Sequence, residues 1–269
     1  MIGVRVDGRL GNQMFQYAFA IALSEKLKTR FYISQFLWDN LLYQYFELPS
    51  NTKWINEIVE RYFWKELKYI EDKDFDITNW QEVCNENNVV YQGYMQSLQY
   101  FESAKYLITK EFEIKQIWTN QFNKKYANLF TNNKIIVIHV RKSDYNELGY
   151  TIPFEYYIRC LNLIPAIDSY TKIFISDDLS YCKNVFKHIK NAQFEENSEI
   201  IDMQLLINAD ICILANSSFS WWGAFLNNKP QKKVYYPKYW LGYNQKSWMP
   251  TNAIGKNLNW VAIHNEELI

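Results

Sequence analysis

The chain has no excess of charge of either sign, no paired cysteines and no long apolar run. Its 29 basic and 29 acidic residues cancel, and they cancel again on either side of Lys134, with 16 of each before the cut and 13 of each after it. A nucleic-acid protein would carry a basic domain or stripe, so no nucleic-acid partner is expected. The four cysteines, Cys84, Cys160, Cys182 and Cys212, lie far apart and form no Cys-x-x-Cys pair. Three sit in apolar surroundings and read as reduced, packed thiols, not as a disulfide frame or metal site. No run of 18 apolar residues occurs, and Met1 leads straight into a short apolar strand that contains Arg5. We therefore expect neither a signal peptide nor a membrane span, and a cytoplasmic protein. Internal repeats and low-complexity segments are missing too. The first glycine-rich turn holds two glycines, not the three of a dinucleotide fingerprint, which weakens a nicotinamide or flavin reading.

Aromatic residues are abundant: 10 Trp, 21 Tyr and 17 Phe. They stack well on sugar rings and bases, although most serve as large core residues. At 269 residues the chain allows two domains or one large α/β domain. Its most informative stretch is Ile135 to Tyr145. The β-branched run Ile135–Val140, broken only by His139, suits a strand covered on both faces. His139 and Arg141 share one face near its carboxyl end, where open α/β sheets bind ligands. A guanidinium there can hold two phosphate oxygens at once.

In chain order, Ile2–Val6 reads as a strand and Met14–Leu27 as a helix, joined by the turn Asp7-Gly-Arg-Leu-Gly-Asn-Gln13. Gly8 and Gly11 permit a tight turn, and the helix aims its free N–H groups into the same space. Phe31–Ile33 follows as a strand and Ile55–Tyr69 as a helix. Glu71–Asp76 contains Asp-x-Asp twice, but two carboxylates alone are a poor metal signal, so we read a solvated loop. Val89–Tyr94 is strand-like, with a helix from Ser97 and a domain boundary near Asn132. Beyond it, strands Ile135–Val140, Lys172–Ile175 and Ile211–Ala215 alternate with helices Phe154–Leu163, Ile201–Ala209 and Phe219–Leu226, the pattern of a parallel doubly wound sheet.

Three of these strands finish in polar clusters: His139 with Arg141 to Asp144, Asp177-Asp178, and Asn216-Ser217-Ser218. A parallel sheet gathers all three on one edge, where they complement a nucleoside diphosphate. Arg141 supplies charge, and the hydroxyls of Ser217 and Ser218, with the amides of Phe219 and Ser220, open a helix toward phosphate oxygens. A carboxylate of Asp177 or Asp178 can accept two N–H donors from a guanine edge, or cap the following helix.

With these residues on the page, the sequence resembles the α-1,2-fucosyltransferases of glycosyltransferase family 11, of bacterial type. Gly8-Arg-Leu-Gly-Asn-Gln-Met-Phe-Gln-Tyr-Ala-Phe-Ala20, Tyr91-Gln-Gly-Tyr-Met-Gln-Ser97, His139-Val-Arg-Lys-Ser-Asp-Tyr145, Phe174-Ile-Ser-Asp-Asp178 and Ala215-Asn-Ser-Ser-Phe-Ser-Trp-Trp-Gly-Ala224 match its motifs in order. Two positions depart from its His-x-Arg-Arg-x-Asp pattern: Lys142 replaces the second Arg, and Ser143 stands where Gly is common.

The resemblance implies a GT-B-like α/β fold of two Rossmann-like domains facing a cleft. Residues 1–132 would form the acceptor side and 133–269 the GDP-fucose side, with the last segment free to pack back on the first domain. It implies a galactoside α-1,2-fucosyltransferase of polysaccharide biosynthesis, inverting at fucose and needing no metal or other cofactor. Its partners would be GDP-fucose and a galactose-terminated oligosaccharide or lipid-linked glycan, at the inner membrane face if docked peripherally. Arg141, Asp144 and Asn12 would be catalytic. Arg9, Gly11, Gln13, His139, Arg141, Asp177, Asp178, Asn216, Ser217, Ser218 and Phe219 would contact the donor. Asp144 and Asp7 are the two candidates for a base. Another fucose linkage, another GDP-sugar, and a non-catalytic glycan- or nucleotide-binding module are the competing readings.

Overall fold

A computed structural model of the chain describes residues 1–34, 41–48, 68–71, 73, 76–240 and 258–264. It divides into two compact units, Met1–Lys115 and Gln116–Ile269. The boundary thus precedes the helix Gln116–Asn132, where the sequence suggested it would follow. That helix is tied to the second unit: Gln204 Nε2 donates to Trp118 O at 3.2 Å, and Tyr126 Oη donates to Glu195 Oε2 at 2.6 Å.

The first unit is built on β1 (Ile2–Arg5), β2 (Phe31–Ser34), β3 (Lys68–Glu71) and β4 (Val89–Gln92), all parallel, in the order β2-β1-β4-β3. A helix over Leu10–Leu27 covers them. Its apolar residues run almost all the way round, so it is buried along most of its length. It starts four residues earlier than its apolar period predicts, which puts Gly11, Asn12 and Gln13 in its first turn and not in a loop. Phe19 anchors it, meeting Trp80, Tyr91 and Tyr100 edge to face at 5.8 to 6.0 Å. The helix expected over Ile55–Tyr69 falls outside the described residues up to 67, and Lys68 and Tyr69 belong to β3, held in register with Val89 and Val90. After Ser97 the chain makes two 3₁₀ turns, Leu98–Tyr100 and Glu102–Ala104, before the helix Lys105–Glu111.

The second unit holds six parallel strands: β5 (Lys134–Val140), β6 (Tyr170–Ser176), β7 (Ala192–Phe194), β8 (Ile211–Ile213), β9 (Lys233–Pro237) and β10 (Val261–Ile263). Their order is β10-β9-β8-β5-β6-β7. Counted within the unit this is 3-2-1-4-5-6, the doubly wound order whose switch point lies between the first and fourth strands, here β5 and β8. β10 closes the edge beside β9, so this part of the last segment belongs to the second unit's sheet. Ile135, Ile136, Val137, Ile138 and Val140 are fully buried, as an uninterrupted β-branched run requires. Phe174 stacks between Phe186 and Phe194 at 4.8 and 5.1 Å. Gly223 lets the helices Glu199–Asn208 and Ser218–Leu226 approach closely, since a Cβ there would lie 2.6 Å from Leu206 Cβ. Among the described residues no helix is long and apolar enough to cross a membrane, and the four cysteines are free and buried.

Candidate active site at the sheet switch point

Ligands of doubly wound sheets sit in the crevice outside the carboxyl ends of the strands that flank the switch point. In the second unit those ends are His139-Val-Arg141 after β5 and Asn216-Ser-Ser218 after β8. Arg141 leaves the strand with its side chain only 12% exposed, between two carboxylates. Nη2 meets Asp144 Oδ1 at 2.7 Å and Nη1 meets Asp177 Oδ2 at 3.1 Å, with the guanidinium 5.4 Å from the Tyr145 ring centre. A guanidinium has five N–H donors, so two such bonds fix its direction without exhausting it. Asp177 also takes the Lys142 amide on Oδ1 at 2.9 Å, and its carbonyl accepts Ser143 Oγ at 3.2 Å. Asp177 therefore braces the β5 exit with both carboxylate oxygens. Asp178 caps the helix Leu179–Val185, its Oδ1 accepting Tyr181 N at 2.9 Å. The two residues that depart from the family pattern have local uses: Lys142 Nζ lies 4.4 Å from the Tyr181 ring centre, and Ser143 makes the bond to Asp177.

His139 is buried, with its ring 5.4 Å from that of Phe219 at the start of the opposite helix. Burial, then the neighbouring Arg141 charge, pushes its pKa down to about 3 against the weaker pull of Asp177. It is neutral at physiological pH, and its Nδ1 has no partner among the described residues. Asn216 is equally buried: Nδ2 donates to Tyr150 O at 2.8 Å, while Oδ1 has no partner among the described residues. Tyr145 Oη reaches across the switch point to Asn216 O at 3.0 Å and holds the two strand ends in register. Ser217 is the N-cap of the helix Ser218–Leu226, but its side chain makes no capping bond, so the first-turn amides are left uncapped by it. Buried polar atoms without partners are uncommon and costly, by about 1–3 kcal/mol each. The start of a helix whose N-cap side chain makes no capping bond, with a braced arginine at the same switch point, makes an anion-binding edge. Asn216 Oδ1 beside it is an acceptor for a ligand's donor group.

The turn after β1 is arranged otherwise. Gly8 has φ +78°, which favours glycine, and a Cβ there would lie 2.7 Å from Asn12 Nδ2. Gln13, expected to present its amide to a ligand, is 1% exposed, with Nε2 donating to Gly8 O at 2.9 Å and Oε1 accepting Leu41 N at 3.1 Å. That correction follows from its place inside the first helical turn, which aims it at the backbone. Gln16, which the sequence reading passed over, ties β1 to β4: Oε1 accepts Asp7 N at 2.9 Å and Nε2 donates to Gly93 O at 2.8 Å. Its signal was a polar residue on an apolar helix. Asn12 Oδ1 accepts Gln96 Nε2 at 2.8 Å, and Arg9 is the exposed N-cap residue of that helix, with Gly11 buried behind it. Of the acidic loop, Asp72 and Asp74 lie outside the described residues. Among the described residues no three His, Cys, Asp or Glu side chains are grouped to hold a metal ion.

Residues 1–263 match the model of Glycosyl transferase family 11. O-antigen biosynthesis glycosyltransferase WbnK of Escherichia coli is 29% identical, the match covering 90% of this chain and 95% of that protein. Alpha-1,2-colitosyltransferase, also of Escherichia coli, is 27% identical, over 85% of this chain and 88% of that one. Among solved structures, fucosyltransferase NodZ from Bradyrhizobium superposes with a TM-score of 0.57 at 14% identity, covering 84% of this chain and 91% of that chain. POFUT1 in complex with GDP-fucose gives 0.54 at 12% identity, with coverages of 87% and 96%. At such identities the likeness is one of fold, and it is the GT-B-like α/β class expected from the sequence.

Proposed function

The chain belongs to glycosyltransferase family 11, and on that premise we propose that it moves L-fucose from GDP-fucose to O2 of a terminal galactose, with inversion and without a metal. The observation that carries this reading is the helix start at Ser218, whose N-cap side chain makes no capping bond, at the same switch point as the braced Arg141 guanidinium. As the bond from fucose C1 to the diphosphate breaks, negative charge grows on the leaving phosphate. The unspent N–H donors of Arg141 and the first amides of the Ser218 helix stabilise that charge, the role a divalent metal fills in other transferases. Asp144 and Asp177 hold the guanidinium in place, so that Asp144 positions Arg141 in this reading. Neutral His139 packs against Phe219 and lines the nucleotide side without taking a proton. The acceptor hydroxyl attacks from the face opposite the diphosphate, in one displacement. Its proton passes to a carboxylate base, for which Asp144 and Asp7 are the candidates.

The name of the WbnK relative supports a surface-polysaccharide acceptor, lipid-linked or free. That of the colitosyltransferase supports the 1,2 linkage and raises a second reading, in which the donor is GDP-colitose. Colitose is fucose without its 3-hydroxyl, and a site built to bond that hydroxyl rejects the analogue by about 10⁴-fold. GDP release is to be measured in EDTA from each donor, with and without lactose. Lactose-dependent release from GDP-fucose, giving a 2-linked product, is the expected result. Release from GDP-colitose alone would replace the donor, and release only on adding a divalent metal would overturn the metal-free chemistry.

A further inference from the structure

The six-residue helix Ser143–Leu148, which follows β5, has no buried residue. A helix that packs nothing into a core is held by its polar contacts. At its start, the Lys142 amide and the Ser143 hydroxyl bond to Asp177 beyond β6. At its finish, Gly149 adopts φ +70°, a conformation that favours glycine, and the Tyr150 amide turns back onto Tyr145 O at 3.0 Å. Tyr150 O then accepts Asn216 Nδ2 at 2.8 Å, and Tyr145 Oη donates to Asn216 O at 3.0 Å. The segment thus spans the switch point, from the end of β6 to the end of β8.

Tyr145 is the member of this segment that meets both strand ends. Its ring centre lies 5.4 Å from the Arg141 guanidinium carbon, within the range of a cation–π contact, so it covers one face of the fork. Asp144 and Asp177 hold the edge of the same fork at 2.7 and 3.1 Å. A planar guanidinium fixed at face and edge has a set direction for its remaining N–H donors. Across the switch point Asn216 is 1% exposed, and its carbonyl and side-chain nitrogen are engaged by Tyr145 and Tyr150. That fixes the amide plane and leaves Oδ1, which has no partner among the described residues, as the atom offered to a ligand. Tyr145 and Tyr150 also meet edge to face at 6.1 Å, which ties the two contacts on Asn216 together. A phenylalanine would pack on Arg141 as well as tyrosine does, and would lack only the bridge to Asn216.

We propose that Tyr145 is a positioning residue that couples the two strand ends of the donor site, its ring orienting Arg141 and its hydroxyl holding Asn216. The proposal rests on the transferase reading above and adds to it a residue that acts through its neighbours. Two variants of the full-length protein separate the two contacts: Tyr145→Phe removes the hydroxyl and keeps the ring, and Tyr145→Leu removes both. With GDP-fucose and lactose, kcat is expected to fall about tenfold in Tyr145→Phe and about a hundredfold in Tyr145→Leu, with the donor KM held within about threefold. Melting curves accompany the kinetics. In the free protein, the Asn216 side-chain amide NMR signals are expected to move in both variants, and the Arg141 Nε–H signal only in Tyr145→Leu. A wild-type kcat in Tyr145→Phe, whether or not its melting temperature falls, would overturn the proposal and leave the donor reading standing. A wild type that neither turns over GDP-fucose nor binds GDP would overturn the donor reading, and the NMR arm then decides for Tyr145. Asn216 and Arg141 signals that stay still in Tyr145→Leu would sink the coupling, and signals that move would uphold it around another ligand.

Discussion

Where β1 enters its helix, the polar side chains turn back on the backbone; where β5 and β8 end, several do not. Gln13 and Gln16 each engage both ends of their amides within the first unit. In the second unit Asn216 and His139 are also buried, yet each keeps a ring or amide atom without a partner among the described residues. Both sets occupy motifs of equal apparent strength in the sequence. A polar residue in a motif can therefore be kept by the fold or by a ligand, and the satisfaction of its hydrogen bonds separates the two.

The comparison is broken most severely at Arg141. Arg141→Ala is expected to lower kcat by about 10²–10³-fold while thermal stability changes little, because the lost charge acts on the leaving group in the transition state. Steady-state kinetics with a melting curve checks both halves, and near-normal turnover would sink the phosphate assignment. Gln16→Leu should do the opposite. It strands the Asp7 amide and the Gly93 carbonyl, costing about 1–3 kcal/mol in denaturant unfolding, with GDP affinity unchanged.

A smaller effect is expected at Asp202, on the helix Glu199–Asn208. Burial raises its pKa to about 7, opposed by the Asn197 hydrogen bond and assisted by Glu195. A raised carboxyl pKa means the folded state prefers the protonated form. Its contribution falls as pH rises from about 4 toward 7 and is level above that. Asp202→Asn should raise stability at pH 8 by about 1–3 kcal/mol and leave it nearly unchanged at pH 4, read from unfolding curves at the two values. The smallest effect is a null one. Because His139 is neutral down to about pH 3, its imidazole NMR signals should not titrate between pH 5 and 8, and a midpoint near 6.5 would show an open, solvated ring.

Much of the second unit was legible because its strands are buried on both faces and announce themselves as apolar runs. β5 and β6 appear where the sequence put them, one or two residues longer at an end. β7, only three residues long and half-buried, gave no such signal. β10 likewise rests on edge pairing with β9, which composition does not reveal. In the first unit Gly-Asn-Gln before Met14 looks like a turn, and only burial beneath the sheet makes it helix. The acid pair after β6 was visible as chemistry, but its division of labour was not. That Asp177 braces Arg141 and Asp178 caps a helix depends on rotamers and distances, which one residue of spacing does not determine.

The central claim is that the β5 and β8 ends form the donor's diphosphate site. Titrating GDP into ¹⁵N-labelled full-length protein tests it most directly. The account predicts that the largest amide shifts fall on Ser218, Phe219 and Ser220, with the Arg141 side-chain signals moving in step. GDP that binds tightly while those amides stay still would contradict it.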